Sequence, residues 1–172
     1  MVPTSDIRGW FDFEQTYDFL IDKVPENGRF LEAGVFAGKS ASYLIDNSRH
    51  KNIEVSLLDM WWKDGLYEEF RRNIAGRDYH EYRMPSNKAA EQFADSHFDC
   101  VFIDMDHKYD SIYADIGYWY PKVKLGGYIA GHDYNEEVHP GVFRAVNELI
   151  RPKGMEVMPA MCWVHKKESV RL

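Results

Sequence analysis

Apolar runs of strand length alternate along the chain with segments whose apolar residues recur every three or four positions. That alternation predicts a parallel sheet with crossover helices rather than a sandwich or a bundle. Residues 13–24 carry helical spacing and are closed by Pro25-Glu26-Asn27-Gly28. The apolar run at Phe30-Leu31 predicts a buried strand feeding a glycine loop, and helical spacing resumes at Ser40 and lasts to about Asn47. Residues 53–59 read as a second strand, 66–75 as a helix and 79–84 as a short strand, with Ser86 placed to cap the helix that starts there. Residues 98–104 form the next expected strand, and 109–120 a helix with Ile112, Ile116, Trp119 and Tyr120 on one face, stopped near Pro121. Leu125-Gly126-Gly127 predicts a turn, 128–131 a buried strand and 142–150 a helix; 155–158 and 161–165 are spaced as an antiparallel terminal pair. No repeat or linker interrupts this order, so the expectation is one α/β domain over residues 1–172.

Glu32, Asp59, Asp104 and Asp133 each fall at or just beyond the carboxyl end of an expected strand. Open α/β sheets bind their ligands there. The first of these ends is the richest: Gly34 and Gly38 lack the Cβ that would keep a ligand from the backbone. A dinucleotide loop of the form Gly-x-Gly-x-x-Gly fails here, because Phe36 stands at its middle glycine. A phosphate loop fits residues 33–40 if Ala33 replaces the first glycine, with Lys39 for the β/γ-phosphates and Ser40 for magnesium.

A third cradle carries the same outline. Glu32, Gly34, Gly38 and Ser40 resemble the Glu-x-Gly-x-x-x-Gly-x-Ser loop of class I S-adenosylmethionine-dependent methyltransferases, position for position. Residues 101–109, with Asp104-Met105-Asp106-His107, and 121–134, with Gly126-Gly127 and His132-Asp133-Tyr134, resemble the matching region of the small O-methyltransferases of the catechol, caffeoyl-coenzyme A and macrolide-sugar type. The resemblance runs from about residue 29 to 135. It implies a single Rossmann-like doubly wound sheet, mostly parallel, with an antiparallel C-terminal strand.

It also implies roles. Glu32, Gly34, Gly38 and Ser40 would hold the methionine moiety of S-adenosyl-L-methionine, Asp59 the ribose hydroxyls through two acceptor oxygens, and Ser86 would lie beside the adenine. Asp104 would border the cofactor and join catalysis. His107 stands where catechol-type relatives often carry a lysine base, and a histidine can accept the hydroxyl proton directly. Asp104 and Asp133 would be metal carboxylates, with His132 a departure that adds an imidazole; Mg²⁺, Mn²⁺, Fe²⁺ and Zn²⁺ all suit that set. Trp61 and Trp62 read either as walls of the pocket or as core packing. His139 and Asn135 read as helix-capping or loop residues ahead of Pro140, with substrate contact as the other option.

Composition narrows the partners. The net charge is −7 and the sequence pI near 5.5, with no lysine or arginine stripe beyond Arg71-Arg72 and Lys166-Lys167, so no footprint for nucleic acid is present. Cys100 and Cys162 form neither a disulfide framework nor a Cys-x-x-Cys pair, which suits a reducing cytoplasm. No apolar run approaches a membrane span. The expectation is therefore a cytoplasmic O-methyltransferase acting on a hydroxyl of a small sugar or phenol, its acceptor pocket open or completed by a second copy of the chain. The competing expectations are a small P-loop phosphotransferase built on residues 33–40, and a methyltransferase-like fold that binds without catalysis.

Overall fold

A computed structural model describes residues 1–172. Seven strands, β1 (Arg29–Ala33), β2 (Glu54–Asp59), β3 (His80–Arg83), β4 (Phe98–Ile103), β5 (Val123–Gly131), β6 (Glu156–Met158) and β7 (Cys162–Lys166), form one sheet in the order β3-β2-β1-β4-β5-β7-β6. The first five pair in parallel, and β7 runs antiparallel to both β5 and β6. The strand order reverses beside β1, and the loops that follow β1 and β4 diverge from that point. A crevice opens there at the carboxyl ends.

Side-chain alternation on the central strands sorts the core into two layers. Phe30 and Phe102 face α1 (Glu14–Lys23), α2 (Lys39–Ser48) and α3 (Leu66–Ile74), meeting Tyr17, Leu44 and Phe70. Leu31, Val101 and Ile103 face α4 (Ser86–Ala90), α5 (Tyr109–Trp119) and α6 (Pro140–Leu149), meeting Ala89, Ile116, Trp119 and Val146. Every residue of β4 is buried, as a strand covered on both faces requires. No helix is long and apolar enough to cross a membrane.

Two local expectations are corrected. Leu125-Gly126-Gly127 does not end a strand: β5 runs through it as a bulge, advancing from Val123 to Tyr128 while β4 advances only from Phe98 to Cys100. Gly126, at φ 82°, donates its N–H to the Lys167 carbonyl at 2.8 Å, and the Lys167 N–H is donated back to Gly127 at 2.8 Å, so the extra residues stay in the ladder with the C-terminal segment. Ser86 does not cap α4. Pro85 occupies the cap position without a side-chain bond, and the Ser86 hydroxyl instead accepts the Trp119 indole N–H at 2.9 Å.

Candidate functional site

A cavity of about 880 Å³ lies across the carboxyl ends of β1, β2 and β4. Of the residues singled out from sequence, Gly34, Lys39, Ser40, Asp59, Trp62, Ser86, Asp104 and His107 line it; Glu32, Gly38, His132 and Asp133 do not. Arg8, Gly9 and Trp10 also reach it from the N-terminal segment, a contribution that no local pattern in that segment announces. Trp10 and Trp62 are 76% and 81% exposed and give the rim two apolar faces. Trp61, by contrast, is core, stacked on Phe70 with ring centroids 4.4 Å apart.

The loop after β1 is held from within. Asp59 Oδ2 accepts the backbone N–H groups of Val35 and Phe36, both at 2.9 Å, and Oδ1 accepts that of Trp61 at 2.8 Å. The Trp61 indole donates to the Phe36 carbonyl at 2.7 Å, and the Asn73 amide to that of Ala37 at 2.9 Å. These bonds fix Phe36 at φ 51°, a left-handed conformation unusual for a bulky residue. The expectation that Asp59 offers two free oxygens is thus corrected. Of roughly four acceptor positions on a carboxylate, three are taken by backbone donors and one on Oδ1 remains for a ligand.

The reason for the glycines also changes. A Cβ on Gly34 would stand 1.7 Å from the Asp104 carbonyl oxygen, and one on Gly38 would stand 2.8 Å from Ile74. Both residues sit at positive φ, 95° and 90°. They are demanded by close approach of other chain segments to the loop. The same geometry counts against the phosphate-loop reading, because the Val35 and Phe36 N–H groups already hold Asp59 and the Ser40 hydroxyl donates to Glu32 Oε1 at 2.5 Å. Glu32 is 1% exposed, and its Oε2 has no partner. Burial, only partly offset by the bond from Ser40, pushes its carboxyl up to about 8.

At the ends of β4 and β5 the polar groups meet one another instead. Asp133, left-handed at φ 62°, turns its carboxylate into three imidazoles. His107 Nε2 lies 2.7 Å from Oδ2, while His132 Nδ1 and His139 Nε2 lie 3.1 and 3.2 Å from Oδ1. Burial would raise the Asp133 carboxyl, yet the contacts with His107 and His132 win and hold it far below the usual range. Asp104 is pushed up to about 6 by burial and by Asp133, against the pull of the nearby imidazoles. His107 is raised, chiefly by its bond to Asp133. His132 is also raised, because Asp133, Asp104 and Asp12 outweigh its burial. Its ring packs on Phe13, centroids 4.6 Å apart.

Asp104, His132 and Asp133 each offer a ligand atom within 4.8 Å of the others, and so do His107, Asp133 and His139. His139 is the member the sequence did not reveal. It precedes α6 but makes no capping bond, which corrects its reading as a cap; its ring faces His107 at 4.5 Å between centroids. Asn135 is a loop residue, its Oδ1 accepting the N–H groups of Glu137 and Val138.

Comparison with known proteins adds an independent line. Residues 31–134 match the family model described as "Methyltransferase domain". An uncharacterized protein of Acanthamoeba polyphaga mimivirus is 30% identical over 131 residues, covering 70% of this chain; the chain spans 58% of that relative's length. Similar solved structures include an SAM-dependent O-methyltransferase from Thermotoga maritima (TM-score 0.68, 16% identity, 96% of this chain and 69% of that one). The O-methyltransferase NovP follows at TM-score 0.71 and 17% identity, over 91% of this chain and 80% of that one. The SAH-bound Podospora anserina methyltransferase PaMTH1 aligns at TM-score 0.72 and 16% identity, over 96% and 82% of the two chains. At these identities the structures establish a shared fold.

Proposed function

The chain belongs to the methyltransferase-domain family, and from that premise we propose that it transfers the methyl group of S-adenosylmethionine to a hydroxyl of a small sugar or phenol. The observation that carries this reading is the single cavity bounded at one side by the glycine loop and at the other by Asp104 and His107, with Asp133 holding His107 from behind. Cradle and proton acceptor face the same space.

The residues suit an aminoacyl nucleoside sulfonium. Gly34 and Ser40 line the cavity beside Asp59, which keeps one open acceptor position on Oδ1, and the cavity has room for a ligand of that size. Solved neighbours support the choice, one being described as SAM-dependent and another as SAH-bound. In the reaction the acceptor oxygen forms its bond to the methyl carbon as the carbon–sulfur bond breaks and its electron pair returns to sulfur. The acceptor proton passes to His107. With Nε2–H donated to Asp133, Nδ1 carries the free lone pair, and Asp133 stabilises the imidazolium that results. Trp10 and Trp62 supply flat apolar faces at the rim, suited to a sugar or phenol ring.

Asp104, His132 and Asp133 fit a divalent cation by donor type and spacing, and the mixed oxygen–nitrogen set suits Mn²⁺, Fe²⁺ or Zn²⁺ as well as Mg²⁺. When bound, such an ion supplies Lewis acidity that lowers the acceptor hydroxyl's pKa. Without it, Asp104 and the Asp133–His107 pair still orient and deprotonate the acceptor.

Calorimetric titration tests the reading before any acceptor is known. S-adenosylmethionine and S-adenosylhomocysteine are expected to bind at micromolar concentrations and ATP with Mg²⁺ not to bind. Binding of ATP alone would sink the proposal. An acceptor screen with and without EDTA then reads the metal requirement directly.

A further inference from the structure

Three ligand groups from three parts of the chain converge at one edge of the cavity. His107 follows β4, Asp133 follows β5, and His139 stands just ahead of α6. The segment between the last two is folded back on itself. Asn135 donates its N–H to the Asp133 carbonyl at 2.8 Å, and the His139 N–H is donated to the Asn135 carbonyl at 3.0 Å. Asn135 Oδ1 holds the N–H groups of Glu137 and Val138 as well, both at 2.9 Å. His139 Nε2 thereby returns to 3.2 Å from the carboxylate that opens the segment. Gly141 then seats the first turn of α6 on the chain after β4, because a Cβ there would overlap the His107 carbonyl oxygen and the Tyr109 nitrogen. The backbone itself brings the two imidazoles together.

We infer that His107, Asp133 and His139 form a Zn²⁺ site, sharing Asp133 with the Asp104, His132 and Asp133 set but different from it in chemistry. Two imidazoles and one carboxylate, with a fourth position open, are a donor set that tetrahedral zinc takes. Bonds of 2.0–2.2 Å to zinc place tetrahedral ligand atoms about 3.3 Å apart. The Nε2 atoms of His107 and His139 lie 2.7 and 3.2 Å from the Asp133 oxygens, and one ligand atom from each of the three falls within 4.8 Å of the others. The His107 side chain is about half exposed, so an ion can enter and its fourth position faces the cavity. Mg²⁺ demands oxygen ligands in octahedral array, so it matches the set that contains two carboxylates better than this one. Zinc on Nε2 leaves the ring's proton on Nδ1, where no lone pair remains for an acceptor hydroxyl. Bound zinc is therefore an inhibitor, a consequence that rests on the role given to His107 above.

The experiment titrates Zn²⁺, in excess Mg²⁺, into the wild-type protein, His139→Ala and His132→Ala by calorimetry. Co²⁺ absorption reads the coordination, and a thermal melt checks the fold of each variant. The wild type is expected to bind Zn²⁺ at micromolar concentrations and to give the Co²⁺ spectrum of a four-coordinate site. His139→Ala should weaken Zn²⁺ at least about tenfold and lose that spectrum, while His132→Ala keeps both. If His139→Ala does not fold, His107→Ala reads the same loss. A folded wild type that binds no zinc, or zinc affinity that follows His132 instead of His139, would overturn the site. With an acceptor from the screen above, Zn²⁺ is expected to stop turnover of the wild type and to inhibit His139→Ala much less. Zinc held through His139 with turnover undiminished would overturn the inhibitory role and the proton-acceptor reading of His107, whatever the cofactor titration gives.

Discussion

The two sides of the cavity solve the placement of buried carboxylates in opposite ways. Around the β1 loop, Asp59 gives three acceptor positions to backbone N–H donors and keeps one on Oδ1, so most of its charge is spent on fixing the shape of a cradle. Around the ends of β4 and β5, Asp133 is surrounded by His107, His132 and His139, groups that themselves gain and lose protons. Backbone donors cannot titrate and make a rigid site; imidazoles can, and make a reactive one. The division predicts that damage on one side removes binding or folding, while damage on the other removes chemistry alone.

The sharpest test of that division lies on the reactive side. His107→Ala should lower turnover about 10²- to 10⁴-fold, the usual contribution of a general base, while S-adenosylhomocysteine binds within about twofold of wild type by calorimetry. An equal loss of both would merge the two sides into one. On the rigid side, Gly34→Ala should destabilise the fold by on the order of 3–5 kcal/mol in urea unfolding, because the added Cβ meets the Asp104 backbone at positive φ. Asp59→Ala releases three backbone N–H groups at once. It should weaken S-adenosylhomocysteine binding about tenfold or more, and it should leave the pH profile of residual turnover unchanged; a shifted profile would show that the cradle also tunes the chemistry.

The last expected effect is one of pH. Glu32 is raised to about 8, so the folded chain keeps a proton that the unfolded chain releases. Stability from this group is present below the ordinary glutamate range and falls as pH rises from there toward 8, by up to about 1.4 kcal/mol per pH unit. Glu32→Gln should flatten that slope in melts taken between pH 5 and 8. A slope identical to wild type would mean that Glu32 is ionised in the folded free protein.

The elements were legible because each rests on a local signal. Helical spacing at Ile112, Ile116 and Trp119, the apolar runs of β1 and β4, and the glycines after β1 all lie within a few residues of one another in sequence. Where a signal had two physical causes, sequence could not separate them. Gly34 and Gly38 were read as making room for a ligand, and the space is taken by Asp104 and Ile74. Gly126-Gly127 was read as a turn, and the C-terminal segment captures it as a bulge. Ser86 had the look of a cap, and a tryptophan 33 residues away claims its oxygen.

By itself, the sequence determined the alternation of strands and crossover helices and the carboxylates at the strand ends, since both follow from periodicity and from where a loop must begin; the doubly wound order was implied by the family resemblance. The tertiary structure alone decided what those carboxylates do. Asp59 became a clasp for the loop, and Asp133 the centre of an imidazole cluster that includes His139. Each outcome depends on groups far apart in the chain arriving within hydrogen-bond reach, and no short-range pattern of residues encodes that distance.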